Sequence, residues 1–506
     1  MKKFVPSFLA ALSVAASAAS NPISFPLNTE VTPLLNANHI FNAIHSSMRQ
    51  WGSSLNHNGM SFFLATVPQG TQFYHGTNSH EPVTGMEWLA FEPEHAMIFA
   101  HARGPPPKNP RYPGDGHDGP PPPGSPPRGP PPRGPPPSGQ IPMHMTQDDG
   151  DEKRLGWLHT YITNKNLRLL YLDGMSAAKS NKGTLDTQDY IILNNTADHS
   201  GFWDNERAKG MCEIAEREWS GRVDGILRME GGFEVILCSF SKDLDLVRMT
   251  QSKESKHGGG PGMGGDGNDF FSYYRAITAR YYGIGGDRVI LDYDSFVTAF
   301  NYPVNLFSAN DMPRLVDLSQ DSLSAIRADV YNLAANQQIP SEPFDWRAVA
   351  DMIVERYSTQ LKYLISGALS SSVLLNDELD RILSPFIDYG TRNTSLEISR
   401  CTTQFIPGHA ADSLASHVVT HVAEAICSTL SYALLEDDYE TAFLGIEDLV
   451  EYLDWTTWKE CRTCDVDEIC FVPIWPHGTI EDHRSPSCTN ATGLISKRGY
   501  WGDPSP

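Results

Sequence analysis

"VDGILRMEGGFEVILCSF", residues 223–240, holds two apolar runs separated by Glu-Gly-Gly at 230–232. Ile, Leu, Val and Phe dominate both runs and the glycines are turn signals, so the stretch predicts consecutive strands over 222–229 and 232–240. One carboxylate, Glu234, interrupts the second run between Phe233 and Val235. Moving upstream, similar β-rich runs predict strands at 61–67 (SFFLATV), 71–76 (TQFYHG), 86–91 (MEWLAF) and 167–174 (LRLLYLDG). Apolar residues at helical spacing predict helices over 92–102 and 205–219. This half of the chain therefore reads as α+β.

Downstream of about residue 287 the pattern changes to long amphipathic windows at 322–337, 345–369, 412–435 and 439–455, where apolar residues recur every three or four positions. The expected organisation follows from these shifts. Residues 1–19 form a signal peptide, 20–255 an α+β domain, 256–269 a Gly-rich linker, and 270–506 a mainly helical domain closed by a Cys-rich tail. A Pro/Gly-rich insertion at 104–139 interrupts the first domain, since a loop can grow at little entropic cost.

The chain has 506 residues, 40% of them hydrophobic, with a formal net charge of −22. That balance argues against nucleic acid and anionic membrane surfaces, both of which favour basic partners. Lys2, Lys3, an apolar run over Phe4–Val14 and a small-residue site at Ala16–Ala18 predict a secreted, extracellular protein. No later stretch reads as long and apolar enough to span a bilayer. Eight cysteines, at 212, 238, 401, 427, 461, 464, 470 and 488, are expected in disulfides; the spacing "CRTCDVDEIC" matches no strong zinc pattern. Sequons at Asn194, Asn393 and Asn490 are candidate glycan acceptors.

Order along the chain supplies a functional expectation. "YHGT" (74–77) ends one strand, "WLAFEPEHAMIFA" (88–100) gives a strand, a proline turn and a helix, and "FEVI" (233–236) opens a late strand. In that order these motifs resemble the ADP-ribosyltransferase superfamily, in the branch carrying histidine, aromatic and glutamate, which includes diphtheria-type toxins and poly(ADP-ribose) polymerases. The resemblance spans roughly residues 60–250. It implies a split-sheet core, NAD as substrate, an acceptor of unknown identity, and ADP-ribose transfer or NAD hydrolysis. It also implies Glu234 as the catalytic carboxylate, with His75, Gly76, Trp88 and Phe91 holding the dinucleotide. Trp88 or Phe91 stands where the family has a tyrosine. The whole chain also resembles uncharacterised secreted proteins of filamentous fungi.

The chemistry of those assignments can be stated separately. Cleaving a nicotinamide–ribose bond builds an oxocarbenium-like cation, which a nearby carboxylate stabilises. His75 would donate to a ribose hydroxyl, Gly76 would let the backbone approach an amide, and an aromatic face would stack on the nicotinamide. Two other readings stand beside this one. The first is a non-catalytic secreted glycoprotein that binds or scaffolds. The second is a metal-dependent hydrolase built on His417 and His421, which lie four residues apart on a predicted helix and lack the glutamate of a zinc-protease motif.

Overall fold

In the computed structural model the described residues run from 34 to 502, apart from 35, 57–58, 101–155, 181, 183–184, 195–203, 254–266, 279–283, 309–311, 409 and 495. The expected signal peptide, the Pro-rich insertion at 104–139 and most of the expected Gly-rich linker lie outside the described residues.

Nine strands form one sheet: β1 (Ser61–Val67), β2 (Gln72–Thr77), β3 (Glu87–Ala90), β4 (Trp157–Thr163), β5 (Leu167–Leu172), β6 (Gly225–Met229), β7 (Phe233–Leu237), β8 (Leu244–Gln251) and β9 (Ile290–Thr298). Their spatial order is β8-β4-β2-β3-β7-β6-β5-β1-β9. Every neighbouring pair is antiparallel except β5–β6, which are parallel. A parallel pair needs a crossover, and the chain between β5 and β6 supplies one through a π-helical turn (Thr187–Ile192) and the helix Asp204–Arg217.

Six helices occur in this part of the chain: α1 (Ala37–Ser46), α2 (Gln50–Leu55), α3 (Pro93–Met97), α4 (Asp204–Arg217), the single turn α5 (Phe240–Asp243) and α6 (Gly267–Thr278). The predicted helix over 92–102 is thus five residues long, with Pro93 at its first turn. The strand expected from 222 begins at Gly225. Asp224 is held in the preceding turn by Lys165 Nζ (2.6 Å) and by the Arg168 backbone N–H (2.9 Å). The strand expected to reach 240 ends at Leu237, because Cys238 is tied to Cys212 on α4 and Phe240 starts α5.

Six further helices follow: α7 (Gln320–Ala335), α8 (Trp346–Leu364), α9 (Ser372–Leu383), α10 (Thr394–Thr403), α11 (Leu414–Leu435) and α12 (Tyr439–Leu453). Each starts at a side chain that accepts a backbone N–H of the first turn: Ser319, Asp345, Ser371, Asn393, Ser413 and Asp438. Such caps satisfy amides that would otherwise lack a partner; the sequence windows located α7, α8, α11 and α12, whereas α9 and α10 were not expected. α11 corrects one expectation. It is long and apolar enough to cross a bilayer by composition. Here it is the centre of the helical layer, contacting α1, α8, α9, α10 and α12 and burying Val418, Val422, Ile426 and Leu430.

The sheet takes its last strand, β9, from chain beyond the 256–269 segment, and one contiguous apolar core runs from Ile40 through the sheet to Trp501. The tail carries β10 (Ile469–Phe471) paired with β11 (Ser487–Thr489), and two short helices, α13 (Ile480–Arg484) and α14 (Ala491–Leu494). All eight cysteines pair: Cys212–Cys238, Cys401–Cys427, Cys461–Cys470 and Cys464–Cys488. The cysteines considered above as zinc ligands are therefore used in disulfides.

Candidate cleft between two strands

β2 and β3 are held together by a single residue pair, Tyr74↔Ala90, and part on either side of it. Where they part there is a cleft of about 50 Å³, lined in part by Tyr74, Gly76, Trp88, His95, Asp204 and Glu234. His75 also borders it, whereas Phe91 does not. Of the five residues expected to form one site, four therefore border one cleft.

Strand alternation decides which side chains meet there, because successive residues point to opposite faces of a sheet. Tyr74 is opposite Ala90, Ala90 is opposite Glu234, and Glu234 is opposite Arg228, so these four share a face. Trp88, two residues from Ala90, joins them. His75 and Phe91 belong to the other face. The Phe91 ring meets Phe73 at 4.8 Å in a tilted contact, and the His75 ring meets Phe240 at 5.8 Å and His159 at 6.2 Å. The His75 ring thus points to the opposite face from Glu234, although both residues border the cleft.

The His75 imidazole has its own partner. Nδ1 lies 2.8 Å from the Trp88 carbonyl oxygen, and a carbonyl can only accept, so Nδ1 carries the proton and Nε2 is left as an acceptor. The expected role as a donor to a ribose hydroxyl is corrected accordingly for the neutral ring. Burial lowers its pKa to about 4, against the opposing effect of the Trp88 carbonyl. The folded value lies below the unfolded one, so this ring's contribution to stability is present above about pH 6.5 and is lost as pH falls towards 4. The imidazole NMR resonances of His75 are expected to titrate near pH 4; a midpoint near 6.5 would contradict the assignment.

Gly76 also has a different role from the one expected. A Cβ at this position would lie 1.8 Å from the Ala96 carbonyl oxygen and 2.9 Å from the Ala100 nitrogen. The glycine is there to let α3 pack directly on β2. Gly76→Ala must push α3 away, and we expect a loss of about 1–3 kcal/mol in urea unfolding.

The packing of α3 brings in His95, which the sequence reading did not assign to the site. His95 is buried and donates to the Phe233 carbonyl. Burial lowers its pKa, while the nearby Glu234 carboxylate pulls in the opposite direction. The sequence also left Arg228 unassigned, and it is the main partner of Glu234. The Arg228 side chain is fully buried, with Nε 2.9 Å from Glu234 Oε1 and Nη1 2.8 Å from Gln188 Oε1. Its Nη2 lies 3.8 Å from Asp204 Oδ1. Asp204 Oδ2 is 2.7 Å from Lys179 Nζ, which also pairs with Glu230. Burial raises the Glu230 pKa to about 7, and the Lys179 charge only partly offsets this.

Among the described residues three buried polar atoms here have no hydrogen-bond partner: Trp88 Nε1, Asp204 Oδ1 and Arg228 Nη2. Two are donors and one is an acceptor. A signal for the ion pair was present in the sequence. Arg228 and Glu234 are the charged residues inside β6 and β7, each three residues from Gly231, so hairpin register places them opposite each other.

Comparison with known proteins bears on the same region. Residues 29–258 match the family described as the YPL277C N-terminal domain. The interval contains β1 to β8 and every cleft residue named above. The chain is 26% identical to the uncharacterised protein YOR389W of Saccharomyces cerevisiae, over 87% of this chain and 82% of that protein. It is 35% identical to the uncharacterised protein YPL277C of the same yeast, over 43% of each chain. The chain is thus similar to uncharacterised fungal proteins, and neither the family nor these relatives points to the ADP-ribosyltransferases. No solved structure matches.

Proposed function

We propose that this protein is a non-catalytic small-ligand-binding protein of an oxidising, extracellular compartment, and that the β2/β3 cleft takes a compact group bearing both a hydrogen-bond donor and an acceptor. The observation that carries this reading is the buried Trp88 indole N–H at the cleft, which has no hydrogen-bond partner among the described residues, while Asp204 Oδ1 and Arg228 Nη2 face only each other at 3.8 Å, beyond hydrogen-bond reach. Buried polar atoms are normally satisfied, and a cluster left unsatisfied beside a cleft is a place for a ligand or ordered water. The size agrees with a small group. About 50 Å³ is far below the roughly 300–1,000 Å³ of sites that enclose drug-sized ligands. The four disulfides support the compartment.

Against catalysis stands the electrostatics of Glu234. A carboxylate that stabilises a developing cation must present uncompensated negative charge, and the Arg228 guanidinium offsets the charge of Glu234. A second reading, NAD cleavage with transfer to an unknown acceptor or to water, keeps one specific support: Trp88 and Glu234 share a face with His95. Purified protein with NAD separates the two. We expect no nicotinamide release, together with measurable calorimetric binding of small amides that weakens in Trp88→Phe, which keeps the ring and removes the N–H. Steady nicotinamide release by the folded protein would overturn the binding-only reading.

A further inference from the structure

The surface at the start of α10 exposes an acceptor motif for N-linked modification. Asn393, Thr394 and Ser395 form an acceptor sequon, and Asn393 and Ser395 are both exposed. Asn393 is the N-cap of α10. Its Oδ1 accepts the Leu396 N–H at 3.1 Å, and its own backbone N–H donates to Glu397 Oε1 at 3.1 Å. The cap uses only the amide oxygen. The nitrogen Nδ2 is the atom that glycosylation modifies, so a sugar and the cap can coexist on one side chain.

The surroundings supply a second reason. Tyr389 is 58% exposed and Leu396 52% exposed, four residues before and three residues after Asn393 in the chain. The Arg392 guanidinium lies 5.9 Å over the Tyr389 ring. Exposed aromatic and aliphatic side chains beside an acceptor asparagine offer an apolar surface on which the first sugar can rest. The other sequons differ. Asn490 makes the same kind of cap, its Oδ1 accepting the Gly493 N–H at 3.2 Å, but it is half-buried in the disulfide-bonded tail, after the buried Thr489. The residues that complete the Asn194 sequon lie outside the described residues.

We propose that Asn393 carries an N-linked glycan packed over Tyr389 and Leu396, and that Asn490 does not. This rests on the reading that the chain passes through an oxidising secretory compartment. The donor class is a lipid-pyrophosphate-linked oligosaccharide. The Nδ2–C1 bond forms as the bond from C1 to the pyrophosphate oxygen breaks, the lipid pyrophosphate leaves, and the amide gives up one proton.

The test is expression of the full chain in a secreting eukaryotic host, followed by peptide-N-glycosidase treatment in heavy-oxygen water and peptide mapping. Asn393 is expected to return as labelled aspartate and Asn490 as unlabelled asparagine. Ser395→Ala removes the sequon but keeps the Asn393 cap, so it should fold, lose the glycan and bind more of an apolar-surface dye than wild type. A secreted, disulfide-bonded protein with unmodified Asn393 overturns the glycan assignment alone. A chain retained in the cell with reduced cysteines overturns the compartment reading and the assignment with it. A glycosylated Asn393 with equal dye binding in Ser395→Ala overturns the packing on Tyr389 and Leu396.

Discussion

Glu234→Gln is expected to destabilise the folded chain by about 3–5 kcal/mol, measured by urea unfolding. Arg228 is fully buried and is held by Glu234, Gln188 and, at longer range, Asp204. A buried guanidinium that loses its closest carboxylate keeps its desolvation cost and loses the attraction that offset it. Glutamine retains one acceptor oxygen, so this variant should fall at the lower end, and Glu234→Leu at the upper. The double variant Arg228→Met with Glu234→Leu removes both charges together. It should be less destabilised than Glu234→Leu alone, because a buried pair can often be exchanged for apolar groups at little net cost. Wild-type stability in Glu234→Gln would show that the pair carries no structural load. The same prediction affects any activity assay, since loss of a signal in this variant has to be separated from loss of folded protein.

Loss of the Cys401–Cys427 bridge should cost about 3–4 kcal/mol from chain entropy alone. The bridge closes a loop with a sequence separation of 26 and joins α10 to the central helix α11. Both cysteines are fully buried, and the Tyr357 hydroxyl is 3.4 Å from Cys401 Sγ. Double replacement by serine adds two hydroxyls to an apolar core, so replacement by alanine is the cleaner test. Cys461–Cys470 closes a separation of only 9, and its removal should cost less, about 2.5 kcal/mol. Equal shifts in the two unfolding midpoints would contradict the loop-length argument.

Much of the architecture was legible because it is encoded locally. The runs at 61–67 and 71–76 became β1 and β2 with bounds within a residue, since short runs of apolar, β-branched and aromatic residues bounded by turn residues favour strands. The long helices were legible for a similar reason. Asp345, Ser413 and Asp438 are caps placed directly before amphipathic windows. β9 was harder. "VILDYDSFVTAF" was read as the start of the helical part, and only long-range pairing with β1 shows that it completes the sheet.

The site was half legible. By itself the sequence determined that Glu234 opens an apolar strand, that Trp88 lies on another, and that a glycine follows His75, because residue type and strand period are local properties. Which side chains meet was decided by tertiary structure. The register Tyr74↔Ala90↔Glu234 places His75 on the far face, and α3, admitted by the missing Cβ of Gly76, brings His95 to Glu234 instead. A single residue of alternation reverses the face of a strand. The physical reason the chosen histidine differs from the one that packs is therefore register, which depends on partners far away in the chain.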